Sequence, residues 1–132
     1  MGLSAVARAD APFYRFELAG PVKPYVRMTR RGKWTDAQAR EYLACKARLA
    51  WQMRAVMTEN NWEMLPARTP LRCYLLVWTP ARLHTCDLDN LLKAVLDAAQ
   101  GVVYRNDCWI DSAWAHRLAG PDAIKFGVGV LG

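Results

Sequence analysis

The chain has no apolar run of transmembrane length, and its opening MGLSAVARADA is too short in apolar residues for a secretory signal. Cys45, Cys73, Cys86 and Cys108 show no C-x-x-C spacing. That argues against a disulfide framework and leaves reduced thiols in a cytoplasmic protein as the simplest expectation. Only two histidines are present, His84 and His116. With Cys86 and Cys108 they could supply soft ligands if the chain folds back, but the spacing matches no common zinc pattern. No internal repeat or low-complexity tract interrupts the chain. Apolar residues make up 53% of it and aromatics 11%, which is globular rather than disordered composition. At 132 residues it suits one domain with a modest core. Met1 to Ala11 reads as a loose tail, and 12–132 as the domain.

Acidic charge is scarce in the first half. Residues 1–57 hold eleven Lys/Arg against four Asp/Glu, a balance of +7; residues 58–132 hold seven against eight, a balance of −1. A basic half joined to an acidic pocket suits a polyanion that must reach a bound metal. The cations concentrate between Lys23 and Trp34, where Arg27, Arg30, Arg31 and Lys33 are interleaved with Tyr25 and Trp34. Prolines and Gly32 oppose a helix there. The expectation is a loop or short hairpin that tracks phosphates, with rings available to stack on unpaired bases.

The acids concentrate in the segment from Asp87 to Asp111, DLDNLLKAVLDAAQGVVYRNDCWID, which holds five of them. Asp87 and Asp89 are two apart, so on an extended segment they would point the same way. Leu91, Leu92, Val95 and Leu96 recur at helical spacing behind an Asp89 or Asn90 cap, predicting a helix from about Leu91 to Gln100 that Gly101 stops. An extended return from Gly101 would bring Asp107 beside Asp87 and Asp89. Three carboxylates at one point call for a cation, and hard Mg²⁺ or Mn²⁺ fits oxygen donors. Lys93, four after Asp89, is placed to hold a carboxylate, a scissile phosphate or an incipient hydroxide. Asp97 reads as Lys93's second partner or a solvated helix charge, and Asp111 carries less weight.

Around this block the sequence predicts a strand at Phe13–Leu18, a helix from Ala37 to about Met57 and a central strand at Leu71–Thr79. Two further strands, Trp109–Leu118 and Ile124–Val130, are joined by a turn at Gly120-Pro121-Asp122. The fold class is α+β: a single small domain in β-α-β-α-β-β order, with two helices packed on a small mixed sheet.

The residues Asp87-Leu-Asp89-Asn90-Leu-Leu-Lys93, then Asp97, Gly101 and Asn106-Asp107, resemble the signature of the RusA family of Holliday junction resolvases. Pro21 to Lys33 is similar to that family's N-terminal basic loop. The resemblance runs from about Phe13 to the C-terminus. It implies a homodimeric endonuclease that cuts four-way DNA junctions with Mg²⁺ (Mn²⁺ substituting), uses no nucleotide cofactor and is frequent in phages and prophages. The metal-binding acids would be Asp87, Asp89 and Asp107, and the catalytic lysine Lys93. Lys23, Arg27, Arg30, Arg31 and Lys33 would bind DNA. A dimer also suits the two symmetry-related strands of a junction. The sequence departs from the family at Asn106, where some members carry an acid, and at Cys86, where a basic residue can precede the first Asp. Those departures keep open a non-catalytic module that binds branched DNA.

Overall fold

The computed structural model describes residues 11–26, 37–80 and 87–131. Strand β1 (Phe13–Ala19) alternates as its sequence dictates, with Phe16 and Leu18 buried and Arg15 and Glu17 exposed. Helix α1 (Ala37–Glu59) contains no Gly or Pro and buries Tyr42, Cys45, Leu49, Met53 and Met57 at spacings of three and four. It stops where Asn61 takes a positive φ of 54° and the amide of Trp62 returns to the Met57 carbonyl at 2.8 Å, a terminus that suits asparagine. Strand β2 (Leu71–Thr79) buries Leu71, Cys73, Leu75 and Val77. Burial pushes the Cys73 thiol up to about 11, so it packs as a small neutral hydrophobe.

Helix α2 (Leu88–Ala99) follows, then a single 3₁₀ turn (Asp107–Trp109), β3 (Ile110–Ala119) and β4 (Ala123–Val130). The expected element order and the α+β class hold. The strand order is β1-β4-β2-β3, with β2 parallel to β3 and β4 antiparallel to both β1 and β2. The last two strands are joined by the expected turn but do not pair. Gly120 donates its amide to the Thr79 carbonyl at 2.9 Å, and the chain steps across the end of β2 to enter the sheet on its far side. Parallel β2 and β3 then need α2 as their crossover.

One core joins Phe16, Leu75 and Phe126 of the sheet to Leu49 and Met53 of α1 and to Leu91 and Val95 of α2. Removing side chains of this size from water contributes roughly 1.5–3 kcal/mol each. Trp62 joins this core, stacking on Tyr14 at 4.4 Å and meeting Phe16 edge-on.

The helices are also tied by polar contacts. Tyr42 donates its hydroxyl to Asp97 at 2.5 Å, and Lys46 approaches the same oxygen at 3.2 Å. Arg48 donates to the carbonyls of Ala19 (2.9 Å) and Gly20 (3.0 Å) at the end of β1. Lys46 and Arg48 of α1 are thus engaged within the fold. Desolvation, and then the bond to Asp97, push the Tyr42 hydroxyl well above its usual 10.0. A raised folded-state value means its stabilisation is complete below about pH 10 and declines above, where the unfolded chain ionises first. Tyr42→Phe is expected to cost about 1.5–3 kcal/mol in urea unfolding at about pH 8 and less at about pH 10.5, because the lost bond is to a charged acceptor.

Candidate active site

Helix α2 starts three residues earlier than its apolar spacing predicts. Asp87 is the residue that caps it, with extended φ/ψ of −73° and 144°. Its backbone carbonyl takes the amides of Asn90 (3.1 Å) and Leu91 (3.3 Å), while its side chain makes no capping bond. Asp89 lies in the first turn, where the helix dipole favours an anion, and one of its oxygens accepts the Asn90 amide at 3.0 Å. The two acids are therefore not alternate residues of an extended segment, as their spacing alone suggests. They stand on the cap and first turn of one helix, both exposed.

Lys93 is exposed one turn further on. Its ammonium sits 4.5 Å from the centre of the Tyr25 ring, a cation–π contact. The Tyr25 amide donates to the Asn90 carbonyl at 3.2 Å. The beginning of the basic segment is thus pinned to the beginning of the acidic helix. Between them lies an open cleft of about 460 Å³ lined by Lys23, Tyr25, Glu41, Asp87 and Asn90. Lys23 pairs with Glu41 across 3.9 Å, both exposed, a contact worth little by itself. Arg27, Arg30, Arg31 and Lys33 lie outside the described residues, as do His84 and Cys86.

Asp97 is not held by Lys93, as the i+4 spacing predicts. Tyr42 and Lys46 of α1 engage it. Nothing in sequence spacing could show this, because the partners are 55 and 51 positions away.

Asp107 stands elsewhere. After α2 the chain does not run back extended. Gly101 takes φ of +85°, a conformation open to glycine, and its amide donates to Tyr104 at 2.7 Å to close a tight turn. Tyr104 is fully buried and donates its hydroxyl to the Leu96 carbonyl at 2.6 Å. Burial raises the pKa of that hydroxyl, and the Asp107 charge adds to the rise. The Asp107 amide then donates to the Gln100 side chain at 3.1 Å. Asn106 caps the 3₁₀ turn by accepting the Cys108 amide at 3.0 Å, a role in which an asparagine serves as well as an aspartate.

Asp107 is therefore anchored at the C-terminal end of α2, and Asp87 and Asp89 at its N-terminal end. Twelve helical residues separate those ends by about 18 Å. Among the described residues no three of His, Cys, Asp and Glu form a group that could hold a metal. The single chain thus assembles Asp87, Asp89, Lys93 and the Lys23–Tyr25 segment, and leaves Asp107 apart.

A search of curated proteins finds no match. Against protein families, the model described as endodeoxyribonuclease RusA matches residues 17–125, most of the chain, including both ends of α2 and the Lys23–Tyr25 segment. The chain belongs to the RusA endodeoxyribonuclease family.

Proposed function

We propose that the protein is a Mg²⁺-dependent endonuclease that resolves four-way DNA junctions as a C2 homodimer. The observation that carries this reading is the meeting of opposite charges at one end of α2. Exposed Asp87 and Asp89 share that end with Lys93 and with the start of the basic segment, which is bonded to Asn90.

The donor chemistry suits a hard divalent ion. Asp87 and Asp89 offer carboxylate oxygens, and Asp87 has no capping bond to surrender. Two acids make a thin ligand set, and Asp107 of the same chain lies at the wrong end of α2. A two-fold dimer supplies the remedy: each Asp87–Asp89 pair takes its third carboxylate from Asp107 of the second copy. A Mg²⁺ ion held there would activate water and offset charge on the phosphate.

The chain's own cations do the rest. Lys93, held near Tyr25, neutralises the phosphate at the reacting position. Lys23 and the cations of 27–33 hold flanking phosphates, fixing the DNA without reading its sequence. The setting that fits such an enzyme is recombination or repair of branched DNA in the cytoplasm of a bacterial or phage-infected cell.

The test is cleavage of a labelled four-way junction and of a linear duplex with the same arms, each in Mg²⁺ and in EDTA. The expected result is paired symmetrical cuts in the junction with Mg²⁺ and none in the other three reactions. Binding of the junction without any cut in Mg²⁺ would make the protein a branched-DNA-binding module.

A further inference from the structure

Both helices pack on one face of the sheet, against Phe16, Leu75 and Phe126. The opposite face carries the alternate residues, and among the described residues no helix covers it. Three rings dominate there. Phe13 stacks with Tyr74 at 6.1 Å and 14°, and Tyr74 with Trp114 at 5.3 Å and 19°. Together they form a shelf of nearly parallel, offset rings running from β1 across to the edge strand β3.

The backbone beneath is cut to fit. Tyr74 is paired across the sheet with Gly127, and a Cβ on Gly127 would fall 2.0 Å from the tyrosine ring. A Cβ on Gly129 would fall 2.5 Å from the Phe13 ring. Only glycine lets the two rings lie down on the strands. Cations flank the shelf: the guanidinium carbons of Arg15 and Arg72 lie 5.0 and 4.7 Å from the centre of the Phe13 ring, and Lys125 sits 5.8 Å from that of Trp78. Glu17, which opposes them on this face, is itself paired with Lys125 at 3.7 Å. Trp114 remains 50% exposed.

We infer that this open face is a second DNA-binding site, one that takes single-stranded DNA by base stacking on Trp114, Tyr74 and Phe13. Flat rings flanked by arginines present π-faces to bases and charge to phosphates. A duplex keeps its bases stacked on one another and has no faces to offer; an unpaired strand does. An isologous contact between two copies centred here would set Arg15 and Arg72 against themselves. The inference rests on the reading of the chain as a protein that acts on branched DNA, and adds that it favours branches carrying an unpaired tract. The shelf lies across the sheet from α2, so it can hold a strand without occupying the acidic end of that helix.

The experiment is fluorescence anisotropy of a labelled oligothymidine and of a blunt duplex of equal length, using the full-length protein at low salt without divalent ions. The wild type is expected to prefer the single strand. Trp114→Ala should weaken that binding about tenfold, and Trp114→Phe should restore most of it, since stacking needs a ring rather than an indole. Arg72→Gln provides a second, side-chain-conservative variant and should weaken single-strand binding while leaving the duplex affinity unchanged. Junction cleavage in Mg²⁺ should be the same in wild type and Trp114→Ala, so loss of cleavage chemistry and loss of the shelf are read separately. Oligothymidine binding unchanged in Trp114→Ala, or a wild type that ignores single strands, would overturn the inference. So would sedimentation showing Trp114→Ala monomeric where the wild type is dimeric, which would assign the face to a second copy.

Discussion

Asp89→Asn is expected to bind a four-way junction within a few-fold of the wild type and to cut it in Mg²⁺ about a thousandfold more slowly. The separation of the two effects follows from where Asp89 stands. It is exposed on the first turn of α2, and among the described residues its carboxylate is bonded to the amide of Asn90 alone. Asparagine keeps the shape and that acceptor, and the helix loses only its favourable end charge, roughly 0.3–1 kcal/mol. The fold, the Lys93–Tyr25 contact and the basic segment should be unaffected, so DNA is still held. What disappears is one anionic oxygen donor where a hard cation needs several. Parallel gel-shift and single-turnover cleavage measurements check both halves. Cleavage at wild-type rate would remove Asp89 from the chemistry.

A second large effect is expected from mixing two inactive variants. Asp89→Asn and Asp107→Asn should each be inactive alone. If Asp107 serves the Asp87–Asp89 pair of the other copy, a mixed dimer has one site with both substitutions and one site with neither. An equimolar, co-refolded mixture is then expected to nick junctions at about a quarter of the wild-type rate, since about half of its dimers carry one intact site of two. Those dimers cut one strand and not its symmetry mate, so nicked junctions should accumulate over resolved duplexes. Were each site built within one chain, every chain in the mixture would carry a lesion and no activity would return. The geometric reason to expect the first outcome is the anchoring of Asp107 to Gln100, at the far end of a helix about 18 Å long.

Much of this architecture was readable in the residues because local rules and tertiary packing agree. Leu71–Thr79 reads as a strand and is one, since its alternate residues Leu71, Cys73, Leu75 and Val77 meet the helices. The buried stripe of α1 follows from its three-and-four spacing in the same way. The start of α2 lies beyond the reach of periodicity, which sees apolar residues. Leu88 adds one more turn, and Asp87 caps that turn through its backbone rather than its side chain. The path after Gly101 is hidden for a different reason. A glycine announces a stop but not the direction taken afterwards; the buried Tyr104, bonded to Leu96, decides that direction. The partners of Asp97 were beyond reach because they come from another helix. The strand order, with β2 between β3 and β4, was equally hidden, since a short turn usually joins neighbours. The acidic pair and Lys93 needed only spacing along one helix to be found, whereas Tyr25 needed the fold to bring it under the lysine.

The most direct test of the account is a Mn²⁺ titration of the wild type, Asp89→Asn and Asp107→Asn, followed by electron paramagnetic resonance of the free ion. The account predicts a saturable site in the wild type that is lost in each variant, although the two residues sit at opposite ends of one helix. Wild-type Mn²⁺ uptake by both variants would contradict it.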